Sequence, residues 1–315
     1  MKMTCFRVVY ERKKAVVLCL TVYVFVCFLV YSLLSGRPVS PRRDIVEDDD
    51  DDDNDGSDLR RSLVGDERSV AIGGGLTSRN LIGVNETNMA DKFIVHSVFL
   101  QTFCRTASTS FNYHFYFAYD RDDAVFTTSR LADAFRTTFR RLVAAMCPRG
   151  LRTSIRLVRC DHARNPTWAQ NDAMLEAYLD NMEYFYRIND DTKMATAGWT
   201  EAFVDALEKY DPPRVGVVCP THSGGNTGIC TYDFVHRTHI DVFGFYYPRL
   251  FTDWWGDDWI TRVYQPGRST KLAHIHVTHT ISLGQRYDVR WSTGNRLEGQ
   301  LKKDIETLTR YDYRS

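Results

Sequence analysis

Apolar positions first form one unbroken block along this chain, then almost vanish, then return as short runs and helical stripes. Residues 15–34 (AVVLCLTVYVFVCFLVYSLL) carry no charge over twenty positions, enough for a helix to cross a hydrocarbon core of roughly 30 Å. Residues 35–90 hold Pro38, Pro41, the acid run 47–53 and Gly73-Gly74-Gly75, with hardly an aromatic residue. That composition buries too little apolar surface to offset its ordering entropy and predicts a disordered acidic stem. The acid run reads as a solvated, self-repelling spacer rather than a cation store.

From residue 91 onward the pattern becomes that of a folded domain. Residues 93–103 (FIVHSVFLQTF) and 114–119 (HFYFAY) read as strands, and 127–146 as a helix with Leu131, Ala134, Phe135, Phe139 and Leu142 on one face. A short strand at 155–158 follows, then a helix from Pro166 to about residue 180, with proline in its favoured first turn. Next come an apolar strand ending near Ile188, a helix over 199–209 stopped by Pro212-Pro213, and a strand at 215–218. Strands alternating with helices predict an α/β fold with a mainly parallel central sheet. In such sheets ligands collect at the carboxyl ends of strands, where Asp120 and Asp191 fall. The chain thus divides into a tail (1–14), a membrane span (15–34), a stem (35–90), a catalytic-sized domain (91–291) and a C-terminal tail (292–315).

Charge favours one orientation and excludes one class of partner. Lys2, Arg7, Arg12, Lys13 and Lys14 precede the span against a single Glu11, which favours a cytoplasmic N-terminus and a lumenal domain. A cleaved signal peptide is the competing reading, but the apolar stretch exceeds an ordinary signal core and no clear cleavage site follows. Residues 91–315 hold 28 Lys plus Arg against 26 Asp plus Glu, so nothing resembles a nucleic-acid surface. Asn85-Glu86-Thr87 is an acceptable glycosylation sequon. Five cysteines (Cys104, Cys147, Cys160, Cys219, Cys230) show no CxxC spacing and allow at most two disulfides, with Cys219–Cys230 the favoured pair.

The candidate chemistry lies in three ordered clusters. The strand 184–188 runs into Asn189-Asp190-Asp191; Asp257-Asp258 sits between Trp254-Trp255 and Trp259; and His274, His276 and His279 follow. Carboxylates bind Mg²⁺ and Mn²⁺, Mn²⁺ also accepts imidazole, and both bridge to nucleotide phosphates. Each piece has a plainer use. Asn-Asp-Asp is turn chemistry, the acid pair suits a helix N-terminus, and at least one of the tryptophans belongs to the core. The loop 224–228 (GGNTG) lacks the ending of a phosphate-binding P-loop and reads as a substrate loop.

In this order the clusters resemble the GT-A-fold nucleotide-sugar glycosyltransferases, most of all the beta-1,4-galactosyltransferases and chondroitin-type transferases. The resemblance rests on a helix carrying Asn171, an apolar strand, a variant DxD motif (Asn189-Asp190-Asp191), and the stretch from Gly224 to Ile260 with its WWGDDW motif. It implies a divalent cation, Mn²⁺ or Mg²⁺, held by Asp191 with His279 first and His276 second. It implies a UDP-sugar donor contacted by Asp120, with Asp122 or Asp123, and by Asn171, Asn189 and Asp190. Gly225, Asn226, Trp254 and Trp255 would face a glycan or glycoprotein acceptor, and Asp257 or Asp258 would be the catalytic base. The expected protein is a type II membrane enzyme of the Golgi or endoplasmic reticulum, glycosylated at Asn85. The alternatives are a non-catalytic transferase-like binding protein and a metal-dependent hydrolase.

Overall fold

A computed structural model describes residues 68–279 and 289–312. The apolar block 15–34 and the acid run 47–53 lie outside these residues; among the described residues no helix is long and apolar enough to cross a membrane. Eight strands form one mixed, mostly parallel sheet: β1 (Ser69–Leu76), β2 (Asn112–Tyr119), β3 (Arg152–Arg159), β4 (Tyr184–Arg187), β5 (Thr192–Met194), β6 (Val217–Ser223), β7 (Phe234–His236) and β8 (Ser269–His279), in the order β3-β2-β1-β4-β7-β6-β8-β5. β1, β2, β3 and β4 pair in parallel, as do β6 and β8, whereas β7 is antiparallel to both its neighbours and β5 to β8.

β1 corrects the stem boundary. It lies inside the segment read as disordered, yet it pairs with β2 over eight residues and with β4 on its other side. Its glycines are required by close approach. A Cβ on Gly73 would meet the Tyr116 carbonyl oxygen at 2.4 Å, and one on Gly74 the Ile188 carbonyl oxygen at 2.3 Å. The run is therefore a crowded strand centre, one of the uses glycine has in sheets.

Residues 93–103, expected as a strand, are helical. α1 (Met89–Lys92) leads through a π-helical stretch (Val95–Leu100) into α2 (Gln101–Thr106). Its buried positions Val95, His96, Phe99, Leu100, Phe103 and Cys104 recur at helical spacing. With α3 (Ser129–Met146) and α5 (Trp199–Glu208) these elements cover one face of the sheet, around Val70, Ile72, Phe115 and Tyr186. The other face, around Ala71 and Phe185, is covered by α4 (Pro166–Leu179), α6 (Thr238–Phe243), α7 (Gly256–Val263) and α8 (Leu297–Asp312). β1 thus sends alternate side chains into two cores, as a central strand must.

The C-terminal tail is also corrected: α8 belongs to the second core. It buries Leu297, Leu301 and Leu308, and its Asp304 accepts a 2.9 Å hydrogen bond from the Trp259 indole. Disulfides join Cys104 to Cys147, tying α2 to the end of α3, and Cys219 to Cys230 as expected. Two disulfides indicate an oxidising, secretory-pathway compartment.

Candidate active site

The site is assembled where β4 ends. Tyr184 and Tyr186 point into the first core and Phe185 into the second, so alternation sends Arg187 to the second face, beneath α7. A guanidinium that is 4 % exposed needs partners, and Arg187 has several. One end donates to Asp257 Oδ1 at 3.0 Å; the other donates to the Thr231 carbonyl and to Asn189 Oδ1 at 3.3 Å. A single buried side chain therefore holds the start of the acid motif and the first turn of α7 together. Burial opposes its charge, but Asp257 and Asp233 outweigh that and raise its pKa.

Beneath it Asp233 is fully buried and accepts hydrogen bonds from the hydroxyls of Tyr246 and Tyr247. Burial pushes its pKa up to about 6, against the lowering effect of Arg187 and the two tyrosines.

Asp191 and His279 are brought together. β5 and β8 pair with Thr192 opposite His279, which brings His279 Nε2 to 3.0 Å from Asp191 Oδ2. The ring's other nitrogen lies 3.2 Å from the Tyr232 hydroxyl, which fixes its orientation. The hydrogen bond to Asp191 raises the His279 pKa. Asp191 is 7 % exposed and its second oxygen, Oδ1, is buried without a hydrogen-bond partner. A buried carboxylate oxygen lacking a donor, beside an imidazole, offers two ligand atoms of the kinds Mn²⁺ takes. His276 is a correction: it lies an odd number of residues from His279 on β8 and so faces the other side, where its Nδ1 contacts the Thr221 hydroxyl.

The two acids of α7 are in different environments. Asp257 is neutralised by Arg187. Among the described residues Asp258 makes no ion pair of that kind, and burial, followed by the charge of Asp257, raises its pKa. The tryptophans divide as well. Trp259 is core; Trp255 starts α7 in the left-handed conformation, with φ 77°; and Trp254 stands 43 % exposed, edge-to-face with Trp291 at 4.9 Å between ring centroids. Gly225 and Asn226 lie on an exposed loop closed by the Cys219–Cys230 disulfide, with Asn226 Oδ1 accepting from Gly228 N at 3.0 Å.

The expected nucleotide contacts fare unevenly. Asp120 sits just past the carboxyl end of β2, as anticipated, but Arg79 pairs with it at 2.6 Å and the Arg164 amide donates to it at 3.1 Å. Asp122 is more exposed and lies 3.4 Å from the same Arg79. Asp123 is a turn anchor, accepting from Ser78, Val125 and Phe126 amides. Asn171 is the second correction. It is fully buried, its Oδ1 accepts from the Tyr246 and Tyr247 amides, and its Nδ2 donates to the Tyr247 carbonyl, so it offers no exposed surface to a nucleotide. Sequence reasoning missed Arg79, Arg187 and Trp291. Arg187 left a signal, a charge inside an otherwise apolar strand.

No family model matches the chain, and a search of curated proteins finds no match.

Proposed function

We propose that this domain is a divalent-cation-dependent glycosyltransferase of the GT-A type, transferring a sugar from a UDP-sugar to a hydroxyl of a glycan or glycoprotein with inversion. The observation that carries the reading is Arg187, which binds Asn189 and Asp257 at once and so joins a candidate cation-binding turn to a candidate acid-base helix. Asp191 and His279 would hold Mn²⁺ or Mg²⁺, and a bound cation supplies charge neutralisation for a departing diphosphate. Asp258, more basic than an ordinary aspartate, takes the acceptor proton as general base. The anomeric carbon–phosphate oxygen bond breaks as the bond to the acceptor oxygen forms, and the diphosphate leaves on the opposite side. Asp257 is the positioning acid, its charge committed to Arg187. The exposed Trp254 and Trp291 offer apolar faces against which a sugar stacks. The protein is proposed to act in the Golgi or endoplasmic reticulum as a type II membrane protein. Asn85 is exposed, its side chain accepting from the Thr87 hydroxyl at 2.7 Å, and is the proposed glycan attachment site.

Asn189, where the family motif has an acid, favours a second reading: a domain that binds UDP-sugar without turning it over. The test is UDP release by the full-length chain from a panel of UDP-sugars and acceptors, with Mn²⁺ or EDTA. Metal-dependent release that is abolished in Asp191→Ala, and falls roughly 10²- to 10⁴-fold in Asp258→Asn, supports the transferase. Metal-dependent UDP binding with no release from any donor supports the binding protein. Release that needs no acceptor and equals the rate of free-sugar formation indicates hydrolysis and overturns both.

A further inference from the structure

A second group of ligating side chains lies away from β5 and β8. Cys160 and His162 follow β3 directly, and Asp172 projects from α4; all three are buried, at 2 %, 8 % and 2 % exposure. One ligand atom from each falls within 4.8 Å of the others. His162 Nε2 is 3.1 Å from Asp172 Oδ2, while its other nitrogen, Nδ1, is buried with no hydrogen-bond partner. Nε2, the nitrogen that faces the Asp172 carboxylate, is therefore the imidazole donor of the group, with Cys160 Sγ as its third atom. The surroundings hold the ligands in place. Arg249 donates to the remaining Asp172 oxygen at 3.2 Å and lies over the Trp168 ring, whose edge packs against His162 at 5.4 Å. Such partners orient metal ligands in many sites.

We propose that Cys160, His162 and Asp172 bind a zinc ion that fastens the loop after β3 to α4. Sulfur and imidazole together select zinc over the oxygen-seeking Mg²⁺ and Mn²⁺ of the other site. A tetrahedral zinc spaces such ligand atoms by roughly 3.3–3.7 Å, so closing the set requires movements of only about 1 Å. Three protein ligands leave the fourth position to water. The loop is already braced to β2: the Cys160 amide donates to the Tyr119 carbonyl at 2.9 Å, the Arg121 amide to the His162 carbonyl at 3.0 Å, and the Arg164 amide to Asp120. The ion therefore steadies the carboxyl end of β2, a role that stands whether or not the domain is a transferase.

The experiment is metal analysis of the full-length chain, purified without a polyhistidine tag and dialysed against Zn²⁺ and then metal-free buffer, together with Co²⁺ substitution. The expected result is about one tightly held zinc per chain, its loss in Cys160→Ser and Asp172→Asn, and its retention in Asp191→Ala. Co²⁺ in the native chain should give a thiolate-to-metal charge-transfer band that Asp172→Asn, which keeps every cysteine, abolishes. A native chain that retains no zinc overturns the proposal, as does zinc kept in both variants or lost only in Asp191→Ala. If Cys160→Ser fails to fold, the native stoichiometry and the cobalt band decide: a cobalt spectrum without thiolate character overturns the site.

Discussion

Replacing Arg187 by Met keeps the volume and removes the charge that joins the two halves of the candidate site. At 3.0 Å from Asp257, and with an effective dielectric constant of about 20, the pair attracts by about 5 kcal/mol. Desolvation of the buried guanidinium offsets a good part of this, so the pair as a whole contributes little net stability. Breaking one side is different. Arg187→Met strands Asp257 beside Asp258 and leaves the buried Asp233 without its nearby cation, at an expected cost of about 3–5 kcal/mol. Asp257→Asn should cost less, since Arg187 keeps Asp233 as an electrostatic partner. Urea unfolding of both single variants and the double variant, analysed by linear extrapolation, should give a coupling energy of about 2–4 kcal/mol. Arg187→Lys should not rescue, because an ammonium cannot span Asp257, Asn189 and the Thr231 carbonyl with a planar fork. Additive single effects, within about 0.5 kcal/mol, would refute the idea that this guanidinium couples the two motifs.

Three other perturbations test the fold. Gly74→Ala drives a Cβ into the Ile188 carbonyl while Gly75→Ala meets only ordinary contacts at 3.5 Å, so denaturant titration should show a loss of about 2–3 kcal/mol for the first and near neutrality for the second. His239 is buried between the Tyr264 hydroxyl and the Tyr246 carbonyl, and burial lowers its pKa to about 4. The native state then binds fewer protons than the unfolded chain between about pH 6.5 and 4, so this group's stability is full above 6.5 and falls by up to about 3 kcal/mol on acidification; His239→Gln should flatten that part of a stability-versus-pH curve. From loop lengths of 43 and 11 residues, replacing Cys104 and Cys147 by Ala should cost about 4 kcal/mol, and replacing Cys219 and Cys230 about 3 kcal/mol; melting temperatures in the reverse order would contradict the loop-entropy account.

Where sequence reasoning succeeded and failed has a physical pattern. α3, α4 and α5 were legible because each carries a local signal, an apolar stripe or a proline at the first turn, that needs no knowledge of its neighbours. β1 was not, because its glycines make sense only once Tyr116 and Ile188 are known to press on them from both sides. Residues 93–103 are apolar enough to fit either period, and only the spacing of His96, Phe99, Leu100, Phe103 and Cys104 separates helix from strand. Asn171 shows the limit for polar groups. An amide that satisfies a buried loop and an amide that grips a ribose look the same in one dimension, and the difference lies in the Tyr246 and Tyr247 backbone groups seventy-five positions away.

The candidate site also explains why adjacent acids in each motif need not share a role. In Asp257-Asp258 both side chains start from the first turn of one helix, yet only Asp257 reaches the buried guanidinium. Its carboxylate is thereby paired, and its charge is one of the two influences that make its neighbour more basic, after burial itself. Arg187 consequently acts on Asp258 through Asp257. Removing the guanidinium leaves the Asp257 charge unscreened, which should raise the Asp258 pKa further, whereas Asp257→Asn should lower it. The alkaline shift of the Asp258 carboxyl signal in Arg187→Met, set against an acid shift in Asp257→Asn and followed by NMR titration, separates this arrangement from one in which the two aspartates titrate independently. Equal Asp258 titration curves in all three proteins would mean that Asp257 has no electrostatic hold on Asp258.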